Sequence, residues 1–507
     1  MLGSFGVIDI VILALYGCIL IGMGLYYKRK CNTADEFMVA GRSIPAWAAG
    51  LAVMSTYTSS ISYIATPGKA YSSNWHTFIF SLCIIPVAWF VCRFVVPYYR
   101  KTKLISVYEF LEDRLGSWAR IYGAFSFVLF MVGRIAVILY LASLLLNTFV
   151  PWGIVPVIIV LGVITIAYTF LGGMEAVIWT DVMQSVVMIV GIIFCAVMLT
   201  RDVFAQPDYL IQAAFDADKF SLGSTKFSFA SQQHVFNRSI WVMIIFGVTE
   251  NLRSLMADQN CVQKYSSAAN ERQAKRSIWI GMLIYIPLTA IFLYIGTALF
   301  AYYSPGGHPL GESITKGDDV FPYFIATQLP VGLKGLVVAA ILAAAMSTVD
   351  SNLNCSATVL LLDFYKRYFN PNIGERGSMM FLRTTTIVWG VLGTGFAILM
   401  IRAQNILDVW WQISGIFGGG VLGVFILGML RIRLRLWQGL VSIGISVGVI
   451  SWATFVREPF LTKLDIQVPN WIVCNMDVVA IGAAGTAAMM IVACLFGLLN
   501  RNKNISA

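Results

Sequence analysis

MSTYTSSISYIATPG, Met54 to Gly68, decides how this chain is read. It falls in an apolar run at 46–66, yet Ser or Thr fills six of the eight positions 55–62, and Pro67 and Gly68 follow. Ser55, Thr58, Ser59 and Ser62 are spaced i, i+3, i+4 and i+7, one face of a continuous helix. Hydroxyls that bond back to helix carbonyls, with small residues for close packing, are one account of such a face. The other is an unwound segment that offers backbone and side-chain oxygens to an ion. So many hydroxyls beside two helix breakers favour the second.

The surrounding composition places that segment in a membrane. The chain has 507 residues, 58% hydrophobic and 12% charged, with a mean hydropathy of +0.78; soluble domains carry about 25% charged residues. Apolar runs of about 20 residues, enough to cross a bilayer, recur to the end. Thirteen are counted, at 6–27, 46–66, 77–97, 120–149, 152–171, 178–200, 238–257, 276–303, 330–362, 380–402, 408–430, 434–455 and 477–499. The fold class is therefore an all-α polytopic membrane protein. The polar stretches 201–237, 304–329 and 456–476 are too short for separate domains, so one domain is expected over 1–507. No Lys or Arg precedes the first apolar run, which reads as an uncleaved helix.

The net charge of +10 does not signal nucleic-acid binding, because the basic residues are scattered between apolar runs. With the N-terminus outside, 23 of the 35 Lys and Arg fall in inside segments, Lys264 among them, and ten fall outside. Arg134 and Arg253 lie within spans. That bias predicts N-terminus out and C-terminus in. The nine cysteines show no metal-ligand spacing and read as small core residues.

Other polar interruptions need reasons, because charge at membrane depth is expensive. In ILAAAMSTVDSNLN, Ile341 to Asn354, Ser347, Asp350 and Ser351 share a face and Thr348 adjoins it. A cation site, a structural salt bridge or a solvated helix end would each account for Asp350. In YTFLGGMEAVIWTDVMQ, Tyr168 to Gln184, Asp181 follows a Gly–Gly break, as a helix-start cap or as a buried ligand. In FMVGRIAVILYL, Phe130 to Leu141, Arg134 either snorkels to the interface or faces a cavity, where its guanidinium could clamp a carboxylate. GVTENLRSLMADQNCVQKY, Gly247 to Tyr265, reads as a second broken helix, with Glu250 and Arg253 able to pair.

Taken together, GLAVMSTYTSSISYIATPGKAY, GGMEAVIWTDVMQ, ADQNCVQKY and AAAMSTVDSNLN resemble the sodium:solute symporter family along essentially the whole chain. The resemblance implies a LeuT-type fold of two inverted five-helix repeats. It divides the chain into an extra helix and loop at 1–45, a core at 46–430 and two C-terminal helices with the tail at 431–507. It implies a main sodium site from the carbonyls of Ser55, Thr58 and Ala344 and the hydroxyls of Ser347 and Thr348. Within the family the chain looks most like bacterial sialic acid symporters. That branch implies substrate contacts at Ser59, Ser62 and Arg134, with Asn251, Thr77 and Ser81 near the sugar body. It also implies a second sodium site at Ser347, Asp350, Ser351 and Asp181, where the branch has serine in place of Asp350. Thr77 and Ser81 replace bulkier aromatic and amide residues.

The expected function is sodium-coupled import of a carboxylated sugar, most readily N-acetylneuraminate, with two sodium ions, across a bacterial inner membrane. The expected partners are sodium, that sugar and the lipid bilayer, with a monomeric chain and no nucleic acid. A neutral monosaccharide, another organic acid and a transporter-derived sensor are the alternatives. An enzyme is not expected, since His76, His234 and His308 form no nucleophile–base or metal motif.

Overall fold

The computed structural model describes residues 5–29, 31, 33–102, 104–204, 209–227, 238–303, 308–312, 314–402, 406–432, 434–457, 461 and 468–505. His234 and the topology residues Lys30, Lys103, Arg433 and Lys463 lie outside them. Among the described residues the chain is helical, with two isolated bridges and no strand. Among the described residues eleven helices are long and apolar enough to cross a membrane, which makes this a multi-pass membrane protein. Two further runs counted from the sequence fall short of that length. Ile154–Ala167 is a shorter apolar helix. The other is the hydroxyl-rich segment, which is interrupted.

The interruption has a local cause. A helix Ala46–Tyr57 stops at Thr58, whose φ of −111° and ψ of 108° are extended. Ser59 Oγ accepts from the Ile61 amide at 3.2 Å, a side-chain substitute for a helix carbonyl. A π-turn Ile61–Ala65 follows, and Thr66–Ser72 resumes the helix with Pro67 in its first turn, where a missing N–H costs nothing. The second expected break is also present. Ile240–Leu252 runs through a π-turn, Arg253–Ala257, to Asp258, which is extended (φ −90°, ψ 112°). Asp258 Oδ1 then caps Gln259–Ser266 by accepting from the Asn260 amide at 3.0 Å.

The span expected at 238–257 is present as Ile240–Ala257. Beyond the extended Asp258 a further short helix, Gln259–Ser266, follows, and every one of its residues is buried despite its polarity. Lys264, counted above among the charges of the inside segments, is fully buried.

The expected break near Gly172 and Gly173 is sharp. Gly173 has φ +63°, and a Cβ there would lie 2.9 Å from Phe37 Cα, so only glycine fits. The helix then runs on as Gly173–Val203. Asp181 sits about two turns inside it, beyond reach of a helix-start cap, and is fully buried.

Leu333–Val359 occupies the centre of the molecule. It packs against Ile154–Phe204, Ser117–Asn147 and Glu375–Leu399. Lipid is as apolar as leucine, so such packing depends on close approach rather than on the hydrophobic effect. Ala339, Ala340, Ala343, Ala344 and Ala345 permit that approach. The same helix carries the polar run 347–354, all of it buried.

Candidate functional site

The two broken helices and the helix Ser117–Asn147 line a cavity that opens to solvent, about 910 Å³ with its open mouth included. Ser59 and Ser62 reach it from the first break, Thr77 and Ser81 from the next helix, and Arg134 from Ser117–Asn147. Five of the six expected substrate residues therefore meet in one cavity. Asn251 does not line it. Its amide donates to the Phe80 and Gly247 carbonyls at 2.9 and 2.7 Å, so it ties its helix to the one that carries Thr77 and Ser81.

Arg134 settles the choice between snorkelling and a cavity: it is buried and lines the cavity. Its Nη2 donates to the Thr56 carbonyl, freed by the helix break, at 2.5 Å. Its Nη1 stands 3.8 Å from Asp258, too far for a hydrogen bond, and the guanidinium lies 5.6 Å from the Trp410 ring centre. The expected Glu250–Arg253 pair is formed, with two bonds of 2.6 and 2.9 Å, and Ser414 donates to Glu250 at 2.7 Å. Arg253 also lies 3.5 Å from Asp258. Two guanidiniums and two carboxylates thus cancel around the cavity. Thr77 Oγ1 is shielded from water and makes no hydrogen bond in the protein. A polar atom left so is costly unless something enters to meet it.

Deeper in the protein lie the residues expected to hold sodium. Ser55, Thr58, Ala344, Ser347, Thr348, Asp350 and Ser351 are all fully buried, and the helices Ala46–Tyr57 and Leu333–Val359 that carry them pack together. Ser55 Oγ donates to the Ala52 carbonyl at 2.8 Å. Ser347 and Thr348 both donate to the Ala344 carbonyl, at 3.2 and 3.1 Å. Each hydroxyl keeps its lone pairs for another partner. Asp350 Oδ1 accepts from the Ser351 amide at 2.5 Å and lies in electrostatic reach of Tyr16. Gln184 donates to that Tyr16 hydroxyl at 3.1 Å.

The sequence reading missed three side chains here. Lys264 Nζ lies 2.9 Å from Asp181 and 3.3 Å from Ser55 Oγ, with both charged side chains fully buried. Asn260 donates to Asn352 at 2.7 Å and Gln263 to Asn354 at 3.1 Å. These amide pairs clamp Gln259–Ser266 onto Leu333–Val359 and account for the last polar residues of ILAAAMSTVDSNLN. The polar spacing Asn260, Gln263, Lys264 was the available signal, since i, i+3 and i+4 lie together on one helical face.

The pattern of the sodium:solute symporter family matches residues 37–442. The chain belongs to that family. It is 33% identical over 451 residues to the sodium/sialic acid symporter NanT of Aliivibrio fischeri, covering 89% of this chain and 88% of that protein. It is 31% identical over 448 residues to the sodium/sialic acid symporter SiaT of Proteus mirabilis, covering 88% and 89%. Among solved structures it superposes with a TM-score of 0.86 and 29% identity on a substrate-bound outward-open Na+-coupled sialic acid symporter, covering 98% of each chain. The family consists of sodium-coupled transporters, not enzymes, and Na+ is the coupling ion.

Proposed function

We propose that this member of the family is a sodium symporter that imports a carboxylated sugar, N-acetylneuraminate, across a bacterial inner membrane by alternating access. The observation that carries the reading is Arg134, a buried guanidinium on the cavity wall with a carboxylate no nearer than 3.8 Å. A substrate carboxylate is the natural partner for such a group, because guanidinium binds carboxylates bidentately. Ser59 and Ser62 line the same cavity, and Thr77 and Ser81 offer hydroxyls to the sugar body. A neutral sugar would leave that guanidinium without its best partner.

Charge explains why sodium must accompany the sugar. Arg134, Arg253, Glu250 and Asp258 already balance, so an arriving carboxylate adds one uncompensated negative charge in a desolvated site. Sodium held by Ser55, Thr58, Ala344, Ser347 and Thr348 supplies the missing positive charge. Oxygen-only ligands suit this hard ion. A second sodium would use Asp181, Ser347, Asp350 and Ser351. Rocking of the broken-helix bundle against its neighbours then exposes the cargo to the other side.

The same reading treats 1–507 as one transporter unit and the chain as a monomer, with an extra helix at 1–45, an inverted-repeat LeuT-type core at 46–430 and two helices beyond 431. Counting Ala46–Ser72 and Ile154–Ala167 as crossings gives thirteen, with the N-terminus outside and the C-terminus inside. Two sodium ions with one monoanion move a net charge, worth about 2.3 kcal/mol per 100 mV. Uptake into proteoliposomes should therefore rise when the interior is made negative. Uptake indifferent to membrane potential would reject the two-sodium form.

A further inference from the structure

Asp181 is expected to serve a sodium ion, yet in this fold it already faces a cation. Lys264 reaches it from the half-helix Gln259–Ser266, 2.9 Å away, and neither side chain has any exposure. Lys264 is not free to swing in solvent. Its half-helix is clamped by the Asn260–Asn352 and Gln263–Asn354 amide pairs and by a Gln263 bond to the Met38 carbonyl. Its ammonium also lies 3.3 Å from Ser55 Oγ, so it stands between the residues of the two proposed sodium sites.

We infer that Lys264 is a resident cation of the carrier, which competes with sodium for Asp181. This inference rests on the proposed sodium role of Asp181. An ammonium and a sodium ion carry the same charge, and one buried carboxylate compensates one of them. While Lys264 is on Asp181 the pair is neutral, and a sodium ion gains nothing from that carboxylate. For sodium to bind there, the ammonium must leave, which requires movement of the half-helix that carries it.

That half-helix belongs to the second broken helix, whose upstream part lines the sugar cavity through Glu250 and Arg253. Cys355 lies in electrostatic reach of Lys264, Asp181, Arg134 and Asp258 together, so the two ion pairs are near neighbours. Exchange of ammonium for sodium on Asp181 would therefore be felt at the sugar site. The return of the empty carrier would be made with Lys264 back on Asp181, so that Asp181 is not left bare.

The test is a sugar-free sodium titration of the purified full-length protein, read by thermal stabilisation. Lys264→Met should lower the sodium concentration for half-maximal stabilisation by on the order of tenfold, because a competing charge has gone. Damage to the fold would raise that concentration, so the direction separates competition from a structural role. Lys264→Arg should keep wild-type sodium dependence. If Lys264→Met does not fold, the neutral pair Asp181→Asn with Lys264→Met removes both charges of the pair together. It should fold and titrate as a single sodium site. Unchanged or weaker sodium affinity in Lys264→Met overturns the inference, as does wild-type sodium cooperativity in the double variant. Sugar is absent throughout, so a failed sugar assignment leaves this result readable.

Discussion

Two buried charge clusters in this protein are built to opposite rules. At one end of the helix Ser117–Asn147, Arg120 bonds Asp363 at 2.6 Å and Glu112 at 2.7 Å, and donates to the Leu362 carbonyl at 3.2 Å. Ser106 donates to the other Asp363 oxygen at 2.6 Å, and Arg367 reaches Glu112 at 2.5 Å. Midway along the same helix, Arg134 has its carboxylate at 3.8 Å and lines the cavity. The first cluster saturates its partners and fixes a loop and two helix ends. In the second, Arg253 and Glu250 pair at 2.6 and 2.9 Å, but Arg134 has no carboxylate within hydrogen-bond distance. A buried arginine whose carboxylate contacts are short and saturated is structural; one that faces a cavity with no carboxylate in hydrogen-bond reach can take a ligand's.

Glu112 and Glu109 lie outside the membrane spans and record the difference between two acids in one cluster. Burial works against the charged form of both. For Glu112, Arg120 and Arg367 outweigh it and hold the carboxyl below its usual range, whereas Glu109, 3.8 Å from Arg120, is left above it. The depressed group stabilises the fold above its unfolded-state pKa, and that contribution is lost as pH falls through its folded-state value.

The comparison can be broken by substitution. Arg120→Ala should have the largest effect on stability, about 3–5 kcal/mol, because it leaves Asp363 buried and unpaired. Melting of the purified protein would show it, with sugar preference unchanged in whatever folds. Arg134→Ala should leave melting nearly intact but remove on the order of 2–5 kcal/mol of sugar binding. Full retention of N-acetylneuraminate uptake by that variant would sink the carboxylate reading. Asp350→Ser should keep the fold and raise the sodium concentration needed for half-maximal uptake. Unchanged sodium dependence and cooperativity would make Asp350 a structural partner of Ser351 and its neighbours. Thr77→Val, which removes a hydroxyl with no partner in the protein, should cost about 1 kcal/mol of sugar affinity and nothing in stability. A drop in melting temperature instead would place Thr77 with the saturated cluster.

The sequence made the helical class, both broken helices and the central position of Ser347 to Ser351 legible, because polar residues in an apolar run have few explanations. Arg134 was legible for the same reason. Lys264 was not. It sits in QNCVQKYS, whose polarity matches that of a loop, and only the fold shows that surrounding helices cover all eight residues. The bonds of Asn251 were not legible either, because a break in a helix tells which turn opens, not where each side chain of it points. The tie from Asn251 to the Phe80 carbonyl joins elements 171 residues apart, which no local pattern can disclose.

We propose that a sodium-dependent carboxylate site lies at Arg134. Thermal stabilisation by N-acetylneuraminate and by glucose, each with and without sodium, tests it most directly. Stabilisation by N-acetylneuraminate only when sodium is present is the predicted result, and stabilisation by glucose without sodium would contradict it.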